Sequence, residues 1–476
     1  MKSREKGLSR RAFLGSALAA GIVVKGAGME SVPASRASSQ RGEAQPESSA
    51  NIHVLYLAKP IPTWPRAGFK PEEDISRIRP ILANLEARPE LGLRFVGHEL
   101  LRVPEHLAPV QPALEKADGL LVFNLTSTVS NLLEPLSQMG LPLVMFSQPY
   151  SGHDWTQGWI LREKGRAVEV VASSSFADLD VPLRILATRH RMRTSRVLCV
   201  STQSEPSEAS RALEEKFGTP IRFVSYARLQ TLFDAADRDA AKRDAALFAR
   251  GALKVVEPKP AEIADSFRLY YAVRKLLEEE NANAITIDCL GGFKRGELPA
   301  YPCVAWSKLN DLGMHGVCEA DLWSTFTQML FGYYSGKPGF VSDPVIDTHT
   351  NTVIHAHCVA ATRMDGPRGP AAPYLVRSHL EDNKGVSVQV NMRIGESITL
   401  VKLADAQTLL VSTGTIVATP DLPRGCRTKV TTKVKDASRL LDKYPGELHR
   451  VLFYGDHLRA AHQMGHLLGL KVIEEI

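Results

Sequence analysis

Within about 40 residues, between Cys318 and Cys358, the chain places two carboxylates and two imidazoles: Glu319, Asp343, His355 and His357. A mixed set of oxygen and nitrogen donors suits Mn²⁺, Fe²⁺, Co²⁺ or Mg²⁺ better than a closed thiolate zinc site. Each residue also has a plainer use. A Glu at a helix start complements the helix dipole, an Asp before Pro begins a turn, and a strand His is commonly held by hydrogen bonds. Their combination, together with His449 near the far end of the chain, is what points to metal chemistry.

The elements that must position these groups follow from periodicity. Leu322, Phe326, Met329, Leu330 and Tyr333 keep a helical period, and Gly336 and Pro338 close it, which puts Glu319 at the helix mouth. Gly339 to Ser342 reads as a strand whose end presents Asp343, since the residue before Pro344 is pushed towards extended geometry. From Thr352 to Val359, alternation puts Val353, His355, His357 and Val359 on one face.

The chain opens with Ser9-Arg10-Arg11-Ala12-Phe13-Leu14 and a short Ala- and Gly-rich run to Val24, an order that resembles the bacterial twin-arginine (Tat) export signal. The expected location is therefore periplasmic or secreted, with small-residue cleavage candidates around Ala34 and Ala37. Residues 1–25 hold six cations against one anion, nearly all of the net charge of +6. No basic stripe remains to argue for nucleic acid, and the apolar run is too short to cross a bilayer. Six cysteines are scattered without a CxxC or close pairing, which reads as buried thiols.

Composition and pattern divide the chain into a signal (1–30), a polar linker (31–50), an amino-terminal α/β domain (51–190), a central α/β domain (191–338) and a β-rich, barrel-like domain (339–476). The two α/β domains are expected to be doubly wound parallel sheets, because short apolar strands alternate with helices. Ligands of such sheets lie beyond the carboxyl ends of the strands, where Asn124 to Ser127 and Gln148 to His153 fall. Neither a GxGxxG fingerprint nor a P-loop follows any of these strands. Beyond Lys337, Val386–Val390, Ile398–Leu403, Thr408–Val417 and Cys426–Val434 suggest an antiparallel barrel or sandwich.

The domain order, the block CEADL…SDP…HAHC and the ending HRVLFYGDH…LLGL resemble the L-fucose isomerase and L-arabinose isomerase superfamily. Carried over by position, the resemblance implies a divalent ion, usually Mn²⁺ with Mg²⁺ or Co²⁺ as alternatives. Its ligands would be Glu319, Asp343, His357 and His449, with His355 the competitor of His357. Glu319 and Asp343 would also be the catalytic pair of an aldose-ketose isomerisation through an enediolate. The resemblance also implies a homo-oligomer whose sites form between subunits, and His153 and His379 are candidate sugar contacts. Fucose isomerases carry Arg-Thr-Tyr-Trp after the second acid, and here Pro344-Val345-Ile346-Asp347 stands instead, so substrate recognition must differ. The alternatives are a metal-dependent epimerase or dehydratase of sugars or sugar acids, and a non-catalytic sugar-binding relative.

Overall fold

The computed structural model describes residues 49–476; the signal and nearly all of the linker lie outside the described residues. Five strands open the fold: Ala50–Leu57 (β1), Leu93–Leu101 (β2), Gly119–Asn124 (β3), Leu143–Ser147 (β4) and Val168–Ala172 (β5). They form a parallel sheet in the order β2-β1-β3-β4-β5. β3 and β4 are buried along their whole length, as strands covered by helices on both faces must be.

Next come Val197–Val200 (β6), Ile221–Val224 (β7), Lys254–Val255 (β8), Ala284–Ile287 (β9) and His315–Cys318 (β10). A second parallel sheet has the order β10-β9-β6-β7. The long helix Pro260–Glu279 precedes β9, and the helix Cys303–Asp311 precedes β10. β8 instead joins a small sheet with Tyr374–Arg377 (β13) and Ser387–Val390 (β14), which follow Phe340–Asp347 (β11) and Thr352–His357 (β12).

The last strands are Ser397–Leu403 (β15), Thr408–Ala418 (β16), Thr428–Val434 (β17), Arg450–Tyr454 (β18) and Lys471–Glu474 (β19). β15-β18-β11-β12-β17-β16 pair in that order, and β15 pairs back to β16, so six antiparallel strands close into a barrel. Closure leaves no free edge among them, and β19 adds in parallel along β16. A bulge between Ile416 and Ala418 shifts the β16–β17 register, the kind of irregularity that lets a sheet curve. Two parallel sheets with flanking helices and a carboxyl-terminal barrel are therefore the architecture. Among the described residues no helix is long and apolar enough to cross a membrane.

Candidate active site

The carboxyl end of β10 and the rim of the barrel meet at the Glu319 region. The helix that follows β10 runs from Leu322 to Ser335 and is capped by Asp321, whose carboxylate accepts the Ser324 backbone N–H at 2.8 Å. Glu319 is thus not in the first helical turn, as its position in the sequence suggested. It lies two residues before the cap, where Glu319 (φ 67°) and Ala320 (φ 53°) are both left-handed. Such a backbone costs a non-glycine residue of order 1 kcal/mol or more and recurs at functional sites. The helix ends at Gly336 in a left-handed cap, as the sequence indicates.

Strand pairing delivers the other groups. β11 pairs antiparallel with β18 through Ser342↔Arg450, so the next residue of each strand pair, Asp343 and His449, fall side by side. His449 Nε2 lies 3.1 Å from Asp343 Oδ1 and 3.6 Å from Glu319 Oε2. β12 ends at His357, whose Nε2 lies 3.6 Å from Glu319 Oε1. Glu319, His357 and His449 offer ligand atoms that all lie within 4.8 Å of one another, with Asp343 against His449.

The two imidazoles are held differently. His449 Nδ1 sits 2.8 Å from Asp321 Oδ2, which turns Nε2 towards the acids. A carboxylate behind a histidine fixes the ring in this way at many metal sites. The same Asp321 oxygen accepts from the ammonium of Lys402 at 2.8 Å, and Lys402, buried in β15, also reaches Ser324 Oγ at 2.8 Å. His357 Nδ1 accepts the Cys358 backbone N–H at 2.9 Å, and its buried Nε2 has no hydrogen-bond partner. An orphaned nitrogen facing a carboxylate, beside a histidine braced by another acid, fits a divalent cation.

Charge follows from this geometry. Burial alone would depress the His449 pKa, but its bonds to Asp321 and Asp343 raise it to about 10. Burial works against ionisation of Asp321 and Asp343 too, yet His449 holds both below the usual carboxylate range, helped at Asp321 by Lys402. His357 is likewise raised, against its burial, by Glu319 and Asp343.

His355 is placed otherwise. Its Nδ1 lies 3.3 Å from Ser342 Oγ and its Nε2 3.0 Å from Thr432 Oγ1, both inside the barrel, and burial lowers its pKa to about 3. Both ring nitrogens are occupied, as in a structural histidine.

His153 and His379 are not in this cluster. His153 caps a short turn beyond β4 and stands 5.3 Å from the Trp64 ring, in an open cleft of about 350 Å³ lined also by Gln148, Tyr150 and Trp155. None of Glu319, Asp343, His357 or His449 lines that cleft. His379 lies after β13, with its ring 5.2 Å from Tyr301 and its Nδ1 3.7 Å from Asp382.

Sequence reasoning missed Asp321 and Lys402. Asp321-x-x-Ser324 ahead of an apolar helix is an N-cap signal, and a lone Lys in the otherwise uncharged Ile398–Leu403 run is a sign of a buried partner. The cysteines are free thiols, five of them buried, as their scatter in the sequence suggests, and the Cys289 and Cys318 sulfurs lie 3.6 Å apart. Residues distant in sequence meet only once the second sheet and the barrel are joined.

A sulfoquinovose isomerase from Clostridium sp. (strain MSTE9) is 27% identical over 229 residues, covering 44% of this chain and 48% of that protein. The chain thus aligns with about half the length of the curated relative it matches. No family model matches the chain.

Proposed function

We propose that the protein is a metal-dependent aldose-ketose isomerase acting on a monosaccharide or a derivative. The convergence of Glu319, His357 and His449 within 4.8 Å, with Asp343 at 3.1 Å from His449, carries this reading. Likeness to a protein named a sulfoquinovose isomerase supports the sugar-isomerase class.

Glu319, Asp343 and His449 would hold the ion, with His357 completing the set, and Mn²⁺ suits these donors. A bound divalent cation would supply Lewis-acid polarisation of the sugar carbonyl and a template for two adjacent oxygens. The chain's own groups then manage protons. One of the two carboxylates, Glu319 or Asp343, takes the proton from C2, and the other assists its delivery to C1 or between the oxygens. Asp321 keeps the His449 ring turned to the acids, and Lys402 neutralises the Asp321 charge on its buried side. Burial of His357 and His449 limits water around the reacting carbons.

The cleft around His153 is open and aromatic, with Tyr150 and Trp155 exposed in its wall. In a homo-oligomer this surface of one copy would close over the barrel rim of the next and contribute His153 to sugar binding. His379, on the Tyr301 side of the cluster, would contact the sugar from within the same chain.

The test is ketose formation by the purified protein, with and without a chelator, across a panel of neutral aldoses and sulfoquinovose. Chelator-sensitive conversion of one panel member is expected. Metal binding without conversion of any aldose would contradict isomerisation.

A further inference from the structure

Five of the six cysteines gather beside the Glu319 cluster. Cys289 and Cys318 face each other at 3.6 Å, and both are buried. Cys303 and Cys358 are buried together with Tyr301 in a small apolar nest, against which Phe293 and Cys426 pack. All six are free thiols. The β12–β17 ladder ends at His357↔Thr428, so Cys358 is the first residue past one strand and Cys426 lies two residues before the other. Cys426 follows Gly425, whose φ is +71°, and is only half-buried, while Cys303 and Cys358 are fully buried. A soluble reagent therefore reaches this trio through Cys426, which the ladder end sets beside Cys358.

We propose that Cys358 and Cys426 form a reversible disulfide site, oxidised by a low-molecular-weight disulfide. The chemistry balances as two exchanges. The Cys426 sulfur attacks the small disulfide, giving a mixed disulfide and releasing one small thiol. The Cys358 sulfur then attacks Cys426 and releases the second. Two cysteine thiols give up two protons and two electrons, and the small disulfide leaves as two thiols. The sulfurs must close from packing contact to about 2.05 Å, a shift available at a ladder end just past a left-handed glycine. The bond would tie the loop between β16 and β17 to the end of β12. On the reading of the site given above, that anchors the residue next to His357.

The full-length protein is incubated with oxidised glutathione, alkylated, and digested with trypsin and Asp-N without reduction. The expected product is the segment 347–363 joined to 425–427, lighter by two hydrogens than the separate peptides. Titratable thiols after denaturation should fall from six to four and return on reduction. Cys426→Ser should abolish the link, and Cys199→Ser should leave it intact. Six unchanged thiols, a mixed disulfide that stops at Cys426, or a link at Cys289–Cys318 or Cys303–Cys358 would overturn the proposal. The readout needs neither metal nor turnover, so its failure is separate from failure of the isomerase reading.

Discussion

The two parallel sheets end in different surroundings. The carboxyl edge of the first sheet opens to solvent: Tyr150 is 79% exposed, and His153 lies tilted against Trp64 at the wall of an open cleft. The edge of the second runs into the barrel, where His357, at the end of β12, and His449, just before β18, are buried and face Glu319. Strand ends supply loops in both sheets. What the second has in addition is another sheet converging on it, which brings acids and imidazoles from elements far apart in sequence into one enclosed place. An isolated sheet edge makes a contact surface, whereas an edge met by a barrel can make a reaction centre.

If that contrast is right, substitutions on the two edges should separate cleanly. Glu319→Gln should have the largest effect, lowering kcat/KM by about 10³-fold in a steady-state assay, the scale of losing a positioned acid or base. Asp321→Asn keeps the helix cap but loses the charged brace behind His449. Its affinity for Mn²⁺ should fall by about 10- to 100-fold in a competition titration. At the open edge, Trp155→Ala should raise KM by up to about tenfold, the order expected from one aromatic contact, with metal binding unchanged. Loss of metal from the Trp155 variant would erase the distinction between the edges.

A fourth effect, on stability and not on activity, concerns a buried histidine of the same second sheet outside the cluster. His315 packs against Tyr333, neither ring nitrogen has a hydrogen-bond partner, and burial lowers its pKa to about 3. The unfolded chain binds this proton near pH 6.5 and the folded chain does not, so stability is complete above about 6.5 and is lost as pH falls towards 3. Denaturant melts of His315→Phe should show a flatter acid limb than the wild type, by on the order of a few kcal/mol at the low end.

Much of this arrangement is legible in the sequence because it is local. Apolar strands such as Gly119–Asn124 announce a parallel sheet, the period from Leu322 to Tyr333 announces a helix, and Gly336 marks its end. The acids and histidines stand out for the same reason, as polar groups at element boundaries. What stays hidden is set by register and closure. Nothing near Lys402 says that β15 will carry its ammonium to Asp321. The choice between His355 and His357 turns on the side chains of Ser342 and Thr432, which only barrel pairing brings to His355. That Glu319 stands two residues ahead of the cap is also hidden, because alternation and helical period do not reveal a left-handed pair.

The most direct test is calorimetric titration of Mn²⁺ into metal-stripped wild type, His449→Ala and His153→Ala. The account expects about one ion per chain for the wild type and for His153→Ala, and loss of binding for His449→Ala. Binding that survives in His449→Ala, or that vanishes in His153→Ala, would contradict it.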